Sequence, residues 1–271
     1  MKITLNQTDY SIDLAKGESI AIELIPNGKQ PNHFSAPTFK SKPLVSGDFK
    51  GDTQQGGSCN VNQLTLIPHC NGTHTESISH LVNESIAVFD AIEQSIFACY
   101  LISIQPIEAT QTNDKYSAGL EKGHNVITKN QLKEKLNNID ESFLKGLVVR
   151  TLPNDGTKKQ SVYNQNNYPA YFTNCAMEYL VERGVQHLLV DLPSVDKMYD
   201  QGILANHRIF WNLDPAEKTL SEKAWSNKTI TELIFVPDHL EDGLYLCNLQ
   251  LPRIVTDAVP SQPQLFKLIP S

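Results

Sequence analysis

The fold class of this chain follows from one stretch, Thr173-Asn-Cys-Ala-Met-Glu-Tyr-Leu-Val-Glu-Arg-Gly-Val-Gln-His-Leu-Leu-Val-Asp191. Thr173 can cap a helix whose apolar residues recur at helical spacing, and Gly184 supplies the left-handed residue that ends many helices. The apolar run Val185–Asp191 follows at once and is typical of an interior strand. A helix joined directly to a buried strand predicts an α/β or α+β fold with a mixed β-sheet.

Short β-branched and aliphatic runs elsewhere predict further strands. These strands are expected at Gln63–Ile67, Phe97–Ile104, Gly146–Arg150, Thr229–Val236 and Gly243–Leu249. Two stretches rich in Pro, Gly, Asn, Gln or Lys, residues 27–52 and 153–169, predict long surface loops that either border a site or separate domains. At 271 residues, the length alone leaves one large domain and two small ones open.

Composition and charge exclude several classes of function. Lys and Arg number 23 against 30 Asp and Glu, a net charge of −7, which disfavours binding to nucleic acid or to an anionic membrane. The hydrophobic content of 40% is that of an ordinary globular protein. No apolar run approaches the roughly 20 residues that span a bilayer, and the first residues lack a signal-peptide core. We therefore expect a cytoplasmic protein with no membrane partner.

Familiar cofactor and nucleophile motifs are missing. The chain has no GxGxxG or Walker loop and no GxSxG elbow, so nothing supports nucleotide binding or an α/β-hydrolase triad. The five cysteines are scattered without a CxxC pair, which predicts reduced thiols. Four histidines have no ligand-type neighbours at useful spacing and are interpreted as surface or structural residues. They are His33, His124, His187 and His239.

The densest group of reactive side chains is Pro68-His-Cys-Asn-Gly-Thr-His-Thr-Glu-Ser-Ile-Ser-His80, which holds three histidines, a thiol and a carboxylate. His74 and Glu76 are two apart and share one side of an extended chain, while His80 fits one helical turn beyond Glu76 if a helix starts near Ser77. Convergent N, O and S donors are what a divalent transition metal needs. The alternative is a polar loop whose histidines only form hydrogen bonds.

Two later segments carry further candidates. Val190-Asp-Leu-Pro-Ser-Val-Asp-Lys197 lies at the carboxyl end of a predicted strand, where α/β folds open their ligand crevices, and His207 follows ten residues later. Taken alone, its aspartates fit turn or capping roles and His207 a structural one. Glu232 lies in an apolar strand, where a buried carboxylate is costly unless it is paired or coordinated; a place on the solvent face is equally open.

Together these segments resemble the metal-dependent cyclase family that includes bacterial kynurenine formamidase (arylformamidase). Its His-x-Gly-Thr-His-x-Asp-x-Pro-x-His signature overlies Cys70-Asn-Gly-Thr-His-Thr-Glu-Ser-Ile-Ser-His80. The helix and Gly-Val strand match at Glu182-Arg-Gly-Val185, the Asp-x-Pro-Ser-x-Asp turn at Asp191-Leu-Pro-Ser-Val-Asp196, and the following histidine at His207. A ligand glutamate matches within Thr231-Glu-Leu233. The resemblance implies a swivelling β/β/α fold, a single domain over residues 1–271 and a homo-oligomer, as a dimer or tetramer.

The resemblance also implies a site. Its metal ligands would be His74, Glu76, His207 and Glu232, with His80 as the catalytic acid–base residue. The family's first histidine falls on Cys70, with His69 one position earlier, so either residue is a candidate first ligand. A thiolate ligand favours zinc over manganese, and one or two ions are expected.

The implied function is metal-dependent hydrolysis of a C–N bond in a small amide, formamide or cyclic amide. A bound Zn²⁺ or Mn²⁺ ion lowers the pKa of its water from about 16 toward about 7, and His80 would transfer the protons. Two alternatives stay open: a non-catalytic metal- or small-molecule-binding protein on the same fold, and a metal-dependent cyclase or lyase.

Overall fold

The structure is a computed structural model that describes residues 1–271. Four short α-helices and nineteen strands make up its regular elements. The helices are α1 Pro68–Asn71, α2 Lys129–Leu136, α3 Asn174–Glu182 and α4 Ala205–Trp211. The strands are β1 Lys2–Leu5, β2 Thr8–Ser11, β3 Glu18–Ser19, β4 Lys40–Pro43, β5 Val45–Ser46, β6 Phe49–Lys50, β7 Asn62–Thr65, β8 His74–Glu76, β9 Ile96–Ile104, β10 Ile107–Glu108, β11 Asn125–Ile127, β12 Gly146–Thr151, β13 Tyr171–Phe172, β14 His187–Val190, β15 Thr229–Glu232, β16 Gly243–Asn248, β17 Ala258–Pro260, β18 Gln264–Lys267 and β19 Ile269–Pro270. None of the helices has the length and apolarity needed to cross a membrane.

A nine-stranded mixed sheet, in the order β17-β8-β15-β14-β12-β9-β16-β18-β3, organises the molecule. The four central strands β15, β14, β12 and β9 are parallel, and antiparallel strands extend the sheet on both sides. Both faces are buried, which explains the continuously apolar central strands. One face packs on α2, α3 and α4 through residues such as Leu132, Leu180 and Trp211; the other forms a smaller core that includes Leu101 and Val148.

The helix and strands expected from the sequence are present, and the mixed α+β class is confirmed. Thr173 Oγ1 accepts a hydrogen bond from the Ala176 backbone N–H at 3.1 Å, and Gly184 has φ +75°, the left-handed value expected after a helix. The strand predicted to reach Val236 ends instead at Glu232, because Leu233 has φ +53° and leaves the extended conformation.

The loop at residues 27–39 borders the site described below. Its continuation forms two hairpins outside the main sheet: β4 pairs with β7, and β5 with β6. The stretch 153–169 joins this loop where Asn32 and Val162 form an isolated bridge. Both stretches therefore pack beside the sheet.

Candidate metal centre

Three neighbouring strands place the site at one side of the main sheet. The antiparallel register sets Glu232 of β15 directly opposite His74 of β8, and Ala258 of β17 opposite Glu76. His74 and Glu76 point to the same face because strand side chains alternate. Glu232 is buried, so its carboxylate lies on the inner face, and its Oε2 is 3.5 Å from His74 Nε2.

The Gly-Thr pair before His74 fixes the start of β8. A Cβ on Gly72 would lie 2.6 Å from the Leu24 side chain, so no larger residue fits without displacing it. Thr73 Oγ1 donates to the Leu233 carbonyl at 2.5 Å and accepts from the Ile22 backbone N–H at 2.8 Å. The first bond ties β8 to the end of β15, which holds His74 against Glu232, and the second attaches β8 to the segment at Ile22.

The turn after β14 and helix α4 bring His207 to the same point. Asp196 Oδ1 accepts from the Asn206 backbone N–H at 2.8 Å, and its Oδ2 lies 2.6 Å from His207 Nδ1. Asp196 therefore both caps the first turn of α4 and sets the ring orientation of His207. The other ring nitrogen, Nε2, is 2.8 Å from Glu76 Oε1 and 3.7 Å from Glu232 Oε1.

Glu76 lies between two groups of potential ligand atoms. Its Oε1 faces the first group, formed with His207 and Glu232, and all three residues are buried. Its Oε2 lies 3.3 Å from His69 Nε2, which belongs to a second, half-buried group with His80 and Asp257. Within each group the ligand atoms lie within 4.8 Å of one another. Glu76 can thus serve either one ion or two neighbouring ions.

The carboxylates and imidazoles of this cluster shift one another's pKa values. Burial opposes ionisation of Glu76, but the charges of His207 and His80 outweigh it and hold its pKa well below the usual value. Burial likewise opposes protonation of His69, yet its contacts with Asp257 and Glu76 raise its pKa to about 10. The pKa of Asp257 is lowered far below its ordinary range, mainly by His69 and then by His80.

The donor chemistry of these residues fits a metal ion. Three buried atoms of the cluster form no hydrogen bond of normal geometry, although each lies 3.2–3.5 Å from another potential ligand atom: Nε2 of His69, Nε2 of His74 and Oε2 of Glu76. The Nδ1 atom of His74 lies 2.9 Å from the Gly72 carbonyl, and that of His207 faces Asp196, so both rings carry a proton on Nδ1 and turn Nε2 inward. Buried unpaired donors of this kind are costly unless an ion binds them.

The sequence candidates fall into two sets in space. Six of them converge, as the contacts above describe: His69, His74, Glu76, His80, His207 and Glu232. Cys70 lines the neighbouring cavity, but its Sγ belongs to neither group of converging ligand atoms, and burial raises the pKa of its thiol. Of the two candidate first ligands, the geometry favours His69.

The two aspartates of the turn also separate. Asp191 points away from the cluster: its Oδ2 accepts from Lys158 Nζ and from the Thr151 backbone N–H, each at 2.8 Å. Burial raises the pKa of Asp191, and Lys158 opposes that shift. Asp196 instead contacts His207. Asp191 therefore has the structural role that the sequence analysis left open for it.

A cavity of about 240 Å³ opens beside the cluster. Candidate ligands line part of this cavity, and the remaining lining combines apolar side chains such as Phe34 and Leu204 with polar ones such as Lys197 and Asp200. His33 also lines this cavity and is only 3% exposed, so of the two roles expected for it, surface or structural, the surface role is wrong. The cavity is large enough for a small organic molecule next to the ligand atoms.

Sequence reasoning missed Asp257 altogether. It precedes β17, the edge strand that pairs with β8, and no motif marks it. The sequence signal was weak: Asp257 follows the exposed apolar pair Ile254 and Val255 by one residue and directly precedes a short strand.

Comparison with known proteins identifies the chain's relatives. The family described as Putative cyclase matches residues 11–197, which is more than half of the chain. The protein belongs to this cyclase family. That membership confirms the resemblance drawn from the segment Cys70–His80.

Curated relatives and solved structures agree with the family. Kynurenine formamidase of Bacillus cereus is 25% identical over 232 residues, covering 84% of this chain and 90% of that protein, and the Bacillus mycoides enzyme of the same name is equally similar. A predicted metal-dependent hydrolase from Bacillus stearothermophilus shares the fold with a TM-score of 0.59 at 16% identity, covering 93% of this chain and 98% of that one. An isatin hydrolase bound to the product analogue thioisatinate gives 0.58 at 14% identity, with 94% and 93% coverage.

Proposed function

We propose that this protein is a metal-dependent hydrolase that cleaves the C–N bond of a small amide, formamide or cyclic amide. The observation that carries the proposal is the buried Glu76 carboxylate, flanked by inward-facing imidazole nitrogens of His69 and His207 at the wall of a cavity of about 240 Å³. The relatives named kynurenine formamidase, similar over most of both chains, supply the amide chemistry.

The proposed ion site comprises His74, Glu76, His207 and Glu232, with His69 as a further ligand. Oxygen and imidazole donors without a thiolate suit both Zn²⁺ and Mn²⁺, and the position of Glu76 between two groups of ligand atoms allows one or two ions. A divalent ion bound there supplies charge that stabilises the oxyanion and makes hydroxide available near neutral pH. Buried Glu76 and Glu232 partly neutralise that ion.

His80 is the proposed acid–base residue. Its ring stacks on His69 with centroids 4.3 Å apart, and its Nδ1 is 3.5 Å from Asp257 Oδ2. It is half-buried on the cavity wall, so its imidazole can contact both a bound molecule and solvent. His80 would accept a proton from the attacking water and deliver it to the leaving amine, and Asp257 would hold the ring in place.

The test is hydrolysis of formanilide and of a cyclic amide by purified protein whose metal content has been measured. We expect release of the free amine or ring-opened acid, loss of the activity on chelation and recovery when Zn²⁺ or Mn²⁺ is returned. Full metal occupancy with no turnover of any amide, ester or lactone would favour the non-catalytic binding protein instead.

A cyclase or lyase is the second candidate, because the family itself carries the description of a cyclase. Reaction in ¹⁸O-labelled water separates the two activities. Hydrolysis must place label in the acid product, whereas elimination or cyclisation need not.

We also propose that residues 1–271 act as one domain and that the protein works as a cytoplasmic homo-oligomer. Residues from both halves of the chain, such as His69 and Asp257, meet at one cluster, which supports a single domain. The hairpins outside the main sheet expose Val45 and Leu64, at 65% and 57%, which supports an oligomer. Sedimentation velocity would test this assembly, and a monomer at micromolar concentration would contradict it.

A further inference from the structure

A second cavity, of about 550 Å³, opens on the surface away from the candidate metal centre and has more than twice the volume of the cavity there. Its apolar lining is formed by Ala21, Ile22, Ile25 and Phe235. None of the candidate ligands lines it, and the two cavities share no lining residue. The larger cavity is therefore a separate site.

Backbone hydrogen bonds fix the floor of this cavity. The Phe235 backbone N–H donates to the Ile20 carbonyl at 2.8 Å, which joins the segment 20–22 to the chain that follows β15. The Ile22 backbone N–H donates to Thr73 Oγ1, also at 2.8 Å. Because the floor is tied to the main sheet by these bonds, the cavity is formed before any molecule binds.

One small cluster of buried side chains separates the two cavities. Ile22, Tyr163, Met198 and Leu233 form this cluster. Ile22 lines the larger cavity, whereas Met198 lines the one beside the metal centre. A molecule in the larger cavity contacts the back of this cluster and does not reach the candidate ligand atoms.

Two lysines without an ion-pair partner line the larger cavity. Lys29 and Lys159 are both exposed, and neither ammonium lies within 4.0 Å of a carboxylate oxygen. Lys159 Nζ lies 4.3 Å from the centre of the Phe235 ring, a cation–π contact that holds its charge over the apolar floor. The preceding residue, Lys158, is anchored by an ion pair of 2.8 Å with buried Asp191. This anchor fixes the backbone that carries Lys159.

The charge of the lining favours an anion. Glu23 is the one acidic residue of the lining, so two ammonium groups face one carboxylate, in a chain whose net charge is −7. Small-molecule sites combine apolar walls with a few charged or polar groups that orient the ligand. Unpaired cations beside an apolar floor therefore suit an anion with an apolar body.

We propose that this cavity is a second, non-catalytic binding site for a small aliphatic carboxylate. Lys29 and Lys159 bind the carboxylate group, and Ile22 and Ile25 contact the alkyl chain. Most of the apolar lining is aliphatic, and Lys159 covers a face of the Phe235 ring, which favours an alkyl chain over a flat aromatic ring. The site goes beyond the proposed function, since it needs neither an ion nor turnover.

The experiment measures equilibrium binding of hexanoate and of 1-hexanol, which lacks the charge, to the metal-loaded protein by calorimetry. We expect wild-type protein to bind hexanoate more tightly than hexanol. Lys29→Gln and Lys159→Gln should each weaken hexanoate binding about threefold to tenfold and leave hexanol binding unchanged, because each removes one cation. Lys159→Arg should retain most of the affinity. The exposed Lys133→Gln variant of α2 is the control and should bind as wild type does.

Three results would overturn the proposal. The first is no binding of hexanoate by wild-type protein. The second is equal affinity in the Lys29→Gln/Lys159→Gln double variant with loss of binding on chelation, which would place the carboxylate on the metal ion. The third is dissociation of an oligomer in Lys159→Gln without hexanoate binding by wild type, which would assign the cavity to a second copy of the chain. Failure of amide hydrolysis leaves all of these measurements valid, so the two proposals fail separately.

Discussion

Asp196 Oδ2 and His207 Nδ1 lie 2.6 Å apart in the buried interior, and this contact directs the second ring nitrogen of His207 toward Glu76. A carboxylate at that distance keeps the proton on Nδ1, so the Nε2 lone pair faces the proposed ion. The residue that caps α4 thus also sets the tautomer of a ligand.

Replacing Asp196 with asparagine tests this relationship. The amide can donate to Nδ1 and thereby favour the tautomer with its proton on Nε2, which opposes metal binding. We expect Asp196→Asn to lower metal affinity about 10–100-fold, as loss of a residue behind a ligand does. Competition with a chromophoric chelator measures the affinity, and the exposed Asp214→Asn variant is the control. Equal affinity in both variants would show that Asp196 only caps the helix.

The choice between His69 and Cys70 gives a second prediction. Because His69 Nε2 approaches Glu76, we expect His69→Ala to lower metal affinity by more than roughly 100-fold, which exceeds the loss caused by replacing a residue that only supports a ligand. Cys70→Ala should keep its metal. Cobalt-substituted protein should show no sulfur-to-metal charge-transfer absorption in the near ultraviolet. A strong band that disappears in Cys70→Ala would make the thiolate the ligand.

The group His69, His80 and Asp257 gives a third prediction. We expect His80→Ala and Asp257→Asn to retain bound metal, and His80→Ala to lose turnover by about 10²–10⁴-fold because the proton carrier is gone. Asp257→Asn should lower kcat while KM changes little, since Asp257 orients His80 and the neighbouring His69 and does not line the cavity. Inductively coupled plasma mass spectrometry reports the metal. Loss of one equivalent of metal in either variant would instead make this group an ion site of its own.

His187, which lies outside the candidate metal centre, makes the free energy of unfolding depend on pH. Burial, aided by the charge of Lys145, lowers the pKa of His187 to about 4, and its Nδ1 lies 2.9 Å from Thr229 Oγ1. Between an unfolded pKa near 6.5 and a folded pKa of about 4, only the unfolded chain binds the proton. The stability is therefore complete above pH 6.5 and falls by about 3 kcal/mol as the pH drops to 4.

The measurement is urea unfolding of wild type and His187→Gln across this pH range. The variant should be less stable at neutral pH but should lose less stability in acid, so the two curves converge. The exposed His239→Gln variant should keep the wild-type slope. Parallel curves for wild type and His187→Gln would show that other groups cause the acid sensitivity.

Local signals made the central elements of the fold predictable. Thr173 and Gly184 bound α3 through a side-chain cap and a left-handed residue, both of which the sequence displays directly. The end of β15 was predicted four residues late, because the turn at Leu233 comes from tertiary bonds such as that from Thr73 to its carbonyl. Periodicity alone carries no information about such a bond.

The site residues that lie in sequence motifs could be predicted from the sequence. His74 and Glu76 share one strand and match the family signature, so their neighbourhood follows from the sequence. Residues 69 and 70 were ambiguous because residues 68–71 form a short helix, in which neighbours point about 100° apart, rather than extended chain. Asp257 and His33 lie outside every motif and reach the site only through strand pairing and a pinned loop.

The most direct test of the proposed metal centre is an anomalous-scattering measurement on crystals grown with zinc or manganese, collected on both sides of the metal's absorption edge. We predict a metal peak within bonding distance of Glu76, His207 Nε2 and Glu232, with His74 as a further ligand, and we place any second peak between Glu76 and His69. A fully loaded, active protein whose only anomalous peak lies away from Glu76 and His207 would contradict it.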